Sequence, residues 1–378
     1  METVIRNTIA VIVFSIVTSL AHGKIIDTAK NGYIGKEING GLPPQQELLQ
    51  KHLNRLYAIE KKGGWLQIQT TRRYYQIHQS APAIKQIKKR LQASGDLDIK
   101  DQSDLFTKEL EEAVKKVQKR FGYKENGVVD AQLIKELNVP VEKRIEQLLV
   151  NMDRLSDQQQ TSGTRLVANI PEFTLHVYED GRHVFDMDIV VGTSSNRTVV
   201  FNDEMTSIVF SPYWNVPPSI VENEILPAMR KSPGYLSRNG YEQVGTENGL
   251  PVIRQKPGAK NSLGRVKFVF PNSHAIYFHD TPAQSLFQLR KRTFSHGCIR
   301  LAEPAKLARY LLKNVPGWSP AKIDKAMYSG KEQTVALPVP VAVAITYTTA
   351  WVDAEGQLNL REDIYGLDAQ QAKQIVKR

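Results

Sequence analysis

One cysteine in 378 residues, Cys298, has no partner in the chain, so no internal disulfide can staple the fold. Long apolar runs are also missing. The uncharged stretch from Thr8 to Leu20 falls short of the about 20 residues that a spanning helix needs, and no later stretch does better. Arg6 before this run and the small residues around Ala21-His22-Gly23 after it give residues 1–23 the pattern of a secretory signal. The mature chain is therefore expected to be exported, with no integral membrane segment once the signal is removed. The net charge is +11, yet no Lys/Arg block and no nucleic-acid motif accompany it. The basic residues are dispersed, which argues against nucleic acid; a solvated basic surface is one reading, and attraction to an anionic envelope polymer, which fits an exported chain, is the other. Internal repeats and low-complexity tracts are absent as well. An exported free thiol is an oxidation liability, so its presence points to a use.

The rest of the chain divides by pattern. In residues 24–80, Pro43 and Pro44 precede a helical spacing of Leu48, Leu49, Leu53, Leu56 and Tyr57 that stops near Gly63-Gly64. Residues 81–140 read as a three-helix module. Ile84, Ile87 and Leu91 form one stripe; Leu110, Ala113, Val114, Val117 and Phe121 form a second; Leu133 and Leu137 follow the turn Gly127-Val128-Val129-Asp130. Pro140 ends the module, and a charged helix Glu142–Leu155 dominates a connecting segment 141–163. From residue 164 to 333 the pattern is β. Arg165–Ile170 reads as a strand, Phe173–Tyr178 and His183–Val191 as a hairpin around Asp180-Gly181, and Met205–Ser211 as another strand. Gly264–Pro271 and His274–His279 add two more. Residues 220–262 form a long lid-like insertion with one helix, Val221–Met229, and a helix Pro304–Leu312 closes the region. In residues 334–378, Val335–Tyr347 and Ala350–Leu360 read as strands packing on that domain. The expected fold class is a multidomain α+β chain: a small three-helix module, then a mostly antiparallel sandwich or barrel.

The chemistry gathers around Ser295-His296-Gly297-Cys298-Ile299-Arg300. A thiolate is the nucleophilic form of cysteine, and a nearby imidazole can produce it at neutral pH. Two histidines qualify: His296 within the stretch and His279 at the end of the apolar run Ala275-Ile276-Tyr277-Phe278. Tyr277 alternates onto the face of His279, placing its hydroxyl as an oxyanion donor, with the Gly297 and Cys298 amides as the other candidates. Gly297 also permits a sharp turn. Asp280, adjacent to His279 on the strand, cannot easily orient that ring and reads as structural. His296 has two open roles, orientation of the thiol or direct proton transfer. Arg300 likewise has two: recognition of a substrate carboxylate, or an internal salt bridge. Ser295, Trp214 and Asn215 complete the substrate-binding set. His279, Asp280, His296 and Cys298 are all metal-ligand types, but only His296-x-Cys298 is closely spaced, so neither a metal nor any other cofactor is expected.

His279-Asp280-Thr281-Pro282 followed by Ser295–Arg300 resembles the signature of the L,D-transpeptidase (YkuD-type) catalytic domain. Residues 81–137 are similar to the small three-helix peptidoglycan-binding domain, and Gly63-Gly64-Trp65 resembles a piece found ahead of it in larger members. The resemblance covers roughly residues 81–365 and is tight at 263–301. It implies a β-sandwich-like fold with one helix after the cysteine, an insertion that covers the site as a lid, and His279 as general base to the nucleophile Cys298. The implied reaction is acyl transfer from a tetrapeptide stem to the side-chain amine of diaminopimelate on another, forming 3-3 cross-links in the sacculus. It also implies a periplasmic or envelope location and acylation by carbapenems. An L,D-carboxypeptidase, a wall-protein attachment enzyme and a non-catalytic wall-binding scaffold are the alternatives. The sequence departs from the family at Arg197-Thr198-Val199-Val200-Phe201, which lacks a proline often found there.

Overall fold

The computed structural model describes residues 45–375 apart from positions 71, 99 and 156–161. The expected signal segment 1–23 and residues 24–44 lie outside the described residues.

Helix α1 (Gln45–Glu60) buries Leu49, Leu53 and Leu56, one stripe at helical spacing. The three helices of the expected module follow. Helix α2 (Pro82–Ser94) starts on a proline, whose missing N–H costs nothing in a first turn, and ends at Gly95 with φ 72°. Helix α3 (Lys108–Arg120) is capped by Thr107, with Glu109 and Glu111 in its first turn and Lys119 and Arg120 in its last, matching the helix dipole. Helix α4 (Ala131–Leu137) is capped by Asp130, whose side chain accepts from the Leu133 amide. A short ribbon of β1 (Tyr74–Tyr75) and β2 (Val129–Asp130) ties the module together. Helix α5 (Val141–Leu155) does more than connect, because Val141, Ile145 and Leu148 enter the same apolar cluster as α1 to α4.

The β region is a ring. Strands β3 (Thr164–Asn169), β4 (Thr174–Glu179), β5 (Arg182–Gly192) and β6 (Phe201–Phe210) precede the insertion. The insertion holds β7 (Trp214–Asn215), β8 (Tyr241–Glu247) and β9 (Leu250–Gln255). Then come β10 (Val266–Val269), β11 (Phe278–His279), β12 (Thr293–Ser295), β13 (Ile299–Leu301) and β14 (Gln333–Thr346). The order β5-β13-β11-β10-β6-β14-β3-β4 closes through a β4–β5 pairing, and β12 adds to the outside of β5. Closure removes the open edges that a flat sheet would expose. The β4–β5 turn has positive φ at both Asp180 and Gly181, the geometry that an Asp-Gly hairpin favours. Phe210, Phe268 and Phe278 fill the interior and are fully buried. Helices α6 (Pro304–Leu311) and α7 (Pro320–Met327) cover it with Leu307, Ala308, Ile323 and Met327. Only α6 was legible; α7 is a second helix after the cysteine, capped by Ser319.

Three expectations are revised. Residues 274–277 are a turn, not a strand. The Asn272 side chain donates to Phe270 O and Ile276 O and accepts from the His274 and Ile276 amides, while Ala275 adopts φ 53°. The insertion is more than one helix, and it starts at β7. Its helical stretch Pro218–Ile220, Val221–Ile225, Leu226–Lys231 packs on the sheet β7-β9-β8 around a separate cluster of Val216, Ile220, Val221, Ile225 and Ile253.

The third concerns residues 334–378, which divide. Strand β14 sits inside the ring, between β6 and β3. The hairpin β15 (Ala350–Val352) and β16 (Leu358–Leu360) instead joins the helical core, where Ala350, Val352, Leu358 and Leu360 cluster with Leu49 and Ile145. Helix α8 (Leu367–Ile375) lies against α5: Arg154 of α5 pairs with Asp368 of α8 at 2.7 Å. The reason is polar as well as apolar. Asn151 of α5, fully buried, donates to Thr349 Oγ1 at 2.7 Å and accepts from the Thr349 amide at 2.8 Å, while Gln147 donates to the carbonyls of Thr349 and Arg361. Asn151→Ala leaves the buried Thr349 amide without its partner, while Thr349 Oγ1 keeps its bond to Asp368, and should cost about 1–3 kcal/mol. Urea unfolding of the variant checks this; a loss within the ±0.5 kcal/mol of a surface change contradicts the assignment.

Candidate active site

Strand β11 is two residues long but pairs on both sides. It is antiparallel to β10, with Lys267 opposite His279 and Phe268 opposite Phe278. It is parallel to β13, with Phe278 opposite Ile299 and His279 opposite Arg300. Phe268, Phe278 and Ile299 are fully buried in the ring's interior. Because side chains alternate along a strand, Lys267, His279 and Arg300 share the other face. Tyr277 and Cys298 come one residue earlier on each strand and fall on that face too, with the Ile299 amide bonded to Tyr277 O at 3.1 Å.

The cysteine turn is held from three directions. Ser295 Oγ donates to Cys298 O at 2.5 Å and accepts from the Gly297 amide at 3.1 Å. Thr198 Oγ1 donates to Gly297 O at 2.8 Å and accepts from the Gly192 amide at 2.9 Å. Tyr365 Oη donates to Gly192 O at 2.6 Å, so residues past the ring brace the turn. Gly297 has φ +115°, which an L side chain rarely adopts; crowding is not its reason, since a Cβ there would meet nothing closer than 3.7 Å. The Gly297 amide is already spent on Ser295, which removes it as an oxyanion donor. The Cys298 amide makes no hydrogen bond among the described residues. Ser295 is a positioning residue.

His279 is buried, and its Nδ1 is bonded to Asp280 O. The carbonyl accepts from Nδ1–H, which keeps the proton there and leaves Nε2 as the free acceptor. Burial, then the Arg300 guanidinium, hold the His279 pKa down to about 3, so the ring is neutral at physiological pH. Asp280 is structural: Oδ2 accepts from the Arg265 amide and Oδ1 from the Thr281 amide, each at 2.7 Å. Gly264 makes room for it, since a Cβ at that position would lie 2.3 Å from Asp280 Oδ2.

Burial pushes the Cys298 thiol up, and Tyr277, Lys267 and Arg300 pull it partly back. Tyr277 lies against His279 at 5.7 Å between ring centroids, and its hydroxyl faces both the Cys298 sulfur and the Trp214 indole, with burial raising its pKa. Lys267 lies 3.7 Å over the Tyr277 ring. Neither Lys267 nor Arg300 makes an ion pair among the described residues, and Arg300 Nε is buried with no hydrogen-bond partner. Of the two roles open to Arg300, the internal salt bridge is therefore not formed.

His296 turns away from this face. Its side chain is half exposed, and Nε2 lies 2.8 Å from Glu224 Oε1 in the insertion. Trp214 reaches the site from β7, but Asn215 is exposed on that strand opposite Arg254. Lys267, Thr198, Glu224 and Tyr365 were not singled out from sequence. Period-two alternation on both strands could have found Lys267; the other three meet the site only through distant chain crossings.

With this geometry in view, residues 163–335 match the family model for the YkuD L,D-transpeptidase catalytic domain. Residues 80–137 match the model described as "Putative peptidoglycan binding domain". A "Putative L,D-transpeptidase" of Haemophilus influenzae is 31% identical over 220 residues, covering 54% of this chain and 45% of that protein. The chain thus spans less than half the length of that relative. Among solved structures, an L,D-transpeptidase from Stackebrandtia nassauensis is 15% identical, covering 74% of this chain and 97% of its own, with a TM-score of 0.28. One from Mycobacterium smegmatis is 16% identical, covering 48% of this chain and 58% of its own, with a TM-score of 0.27. Among the described residues no helix is long and apolar enough to cross a membrane.

A neutral His279 beside a raised thiol predicts a resting state without a thiolate–imidazolium pair. Alkylation of Cys298 by iodoacetamide should rise with pH toward a midpoint above that of an ordinary thiol. Lys267→Ala removes a cation that favours the thiolate, so it should move the midpoint further up. Stopped alkylation followed by mass spectrometry measures both, and a plateau between about pH 5 and 7 contradicts them.

Proposed function

We propose that the protein is an exported peptidoglycan L,D-transpeptidase that forms 3-3 cross-links through an acyl-enzyme on Cys298. The observation that carries this reading is the shared face of Tyr277, His279, Cys298 and Arg300, with His279 Nδ1 committed to the Asp280 carbonyl. That tautomer leaves Nε2 to take the thiol proton while Sγ attacks the amide carbonyl before the terminal D-alanine of a tetrapeptide stem. The C–S bond forms, and the carbonyl electron pair moves to oxygen, where the Tyr277 hydroxyl and the Cys298 amide stabilise it. Collapse breaks the C–N bond, and His279 returns the proton to the departing D-alanine amine.

The side-chain amine of diaminopimelate on a second stem then attacks the thioester. His279 takes a proton from it, and the released sulfur takes that proton back. One amide is exchanged for another, so no cofactor is needed. Arg300 and Lys267, lacking carboxylate partners, suit the carboxylates of the stem. The helical module and the net charge of +11 favour residence on the anionic sacculus. His296 and Glu224 link the cysteine turn to the insertion above it.

Incubation of the protein with disaccharide-tetrapeptide and mass spectrometry of the muropeptides tests this. Wild type should yield 3-3 dimers and free D-alanine, and a carbapenem should leave an adduct. Cys298→Ala should yield neither. His279→Ala should acylate roughly 100- to 10,000-fold more slowly, the usual worth of a positioned base. Tripeptide without dimer would make the protein a carboxypeptidase, and no product beside intact sacculus binding would make it a scaffold.

A further inference from the structure

We infer that His176, His183 and Asp186 form a transition-metal site on the outer face of the β4–β5 hairpin, and that its ion is zinc. The three ligand atoms lie within 4.8 Å of one another. His176 Nδ1 is 2.7 Å and His183 Nε2 is 2.6 Å from the same carboxylate oxygen, Asp186 Oδ1.

This convergence is built rather than given by sequence spacing. His176 of β4 stands directly opposite Asp186 of β5. His183 and Asp186 are three residues apart, so a regular strand would point them to opposite faces. The pairing shifts register here: Val177 faces Phe185 while Tyr178 faces His183, and Val184 is left over. Such a bulge re-aims the side chains on one side of it, and here it brings His183 onto the face of Asp186.

Carboxylate contacts behind His176 hold its ring in place. His176 Nε2, the nitrogen turned away from the cluster, lies 3.0 Å from Glu172 Oε2. Glu172 is fixed in turn by the Asn169 side chain, whose Nδ2 donates at 3.0 Å, and by Arg361 at 3.8 Å. A carboxylate holding the far nitrogen of a histidine is the usual outer partner of a metal-ligating imidazole. Two imidazoles and one carboxylate suit zinc, with a fourth position left for water. Zinc bonds of about 2.0 Å at tetrahedral angles put ligand atoms about 3.3 Å apart. Asp186 would therefore retreat by roughly half an ångström. The half-exposed side chains of His183 and Asp186 leave that freedom and an entry path. Four residues along β5, Val190 pairs with Arg300, so the site lies about 13 Å from the catalytic strand at strand rise. Its ion would clamp the pairing that closes the ring rather than touch the reaction.

The experiment uses the untagged full chain carrying Cys298→Ala, which takes the thiol away as a competing ligand. Zinc is titrated against a chromogenic chelator, and Tm is followed with and without the ion. One zinc per chain and a higher Tm are expected. His183→Ala and Asp186→Ala in the same background should lose the Tm rise and bind at least about 10-fold more weakly, and Glu172→Gln should cost about 10- to 100-fold. His183→Ala alone, with Cys298 restored, should keep its carbapenem acylation. No zinc uptake by the Cys298→Ala protein would overturn the site, leaving a protonated His176 bridging two carboxylates. So would uptake undiminished by His183→Ala and Asp186→Ala.

Discussion

The register of β11 between β10 and β13 governs the rest of the site. Two residues of strand fix which side chains meet, because Phe278 must enter the apolar interior beside Phe268 and Ile299. Once it does, Lys267, Tyr277, His279, Cys298 and Arg300 can only emerge together. A slip of one residue would bury every one of them and expose the phenylalanines. The hydrophobic demand of the core thus sets the position of the chemistry.

Electrostatics then follows from depth. The same burial that keeps His279 neutral also disfavours the thiolate, so neither group is pre-ionised for the other. Two cations without acidic partners partly offset this for the sulfur. The proposed acyl transfer would then depend on moving a proton during attack, and hence on the tautomer that the Asp280 carbonyl enforces. The cysteine turn adds the same strictness in backbone terms: Ser295, Thr198 and Gly297 spend their polar groups on each other, leaving the Cys298 amide free.

Much of this was legible in the residues. Helices α2 to α4 announced themselves by apolar spacing, the β4–β5 hairpin by Asp180-Gly181, and the candidate site by its unique cysteine. Long-range partners were not. Glu224 reaches His296 across the insertion, and Tyr365 reaches Gly192 from far along the chain; no local pattern carries either contact. Residues 350–360 were misplaced for the same reason. Their apolar alternation shows that one face is buried but not which body buries it, and the side chain of Asn151 decides that.

The return of β15 and β16 to the helical body makes that body discontinuous along the chain. Its first helices and its last strands bracket the ring, which is in effect an insertion within it. The helices come first along the chain, but their core is complete only with residues 350–360, which follow the ring. Threaded this way, the two cannot be parted by severing the chain at a single point between them.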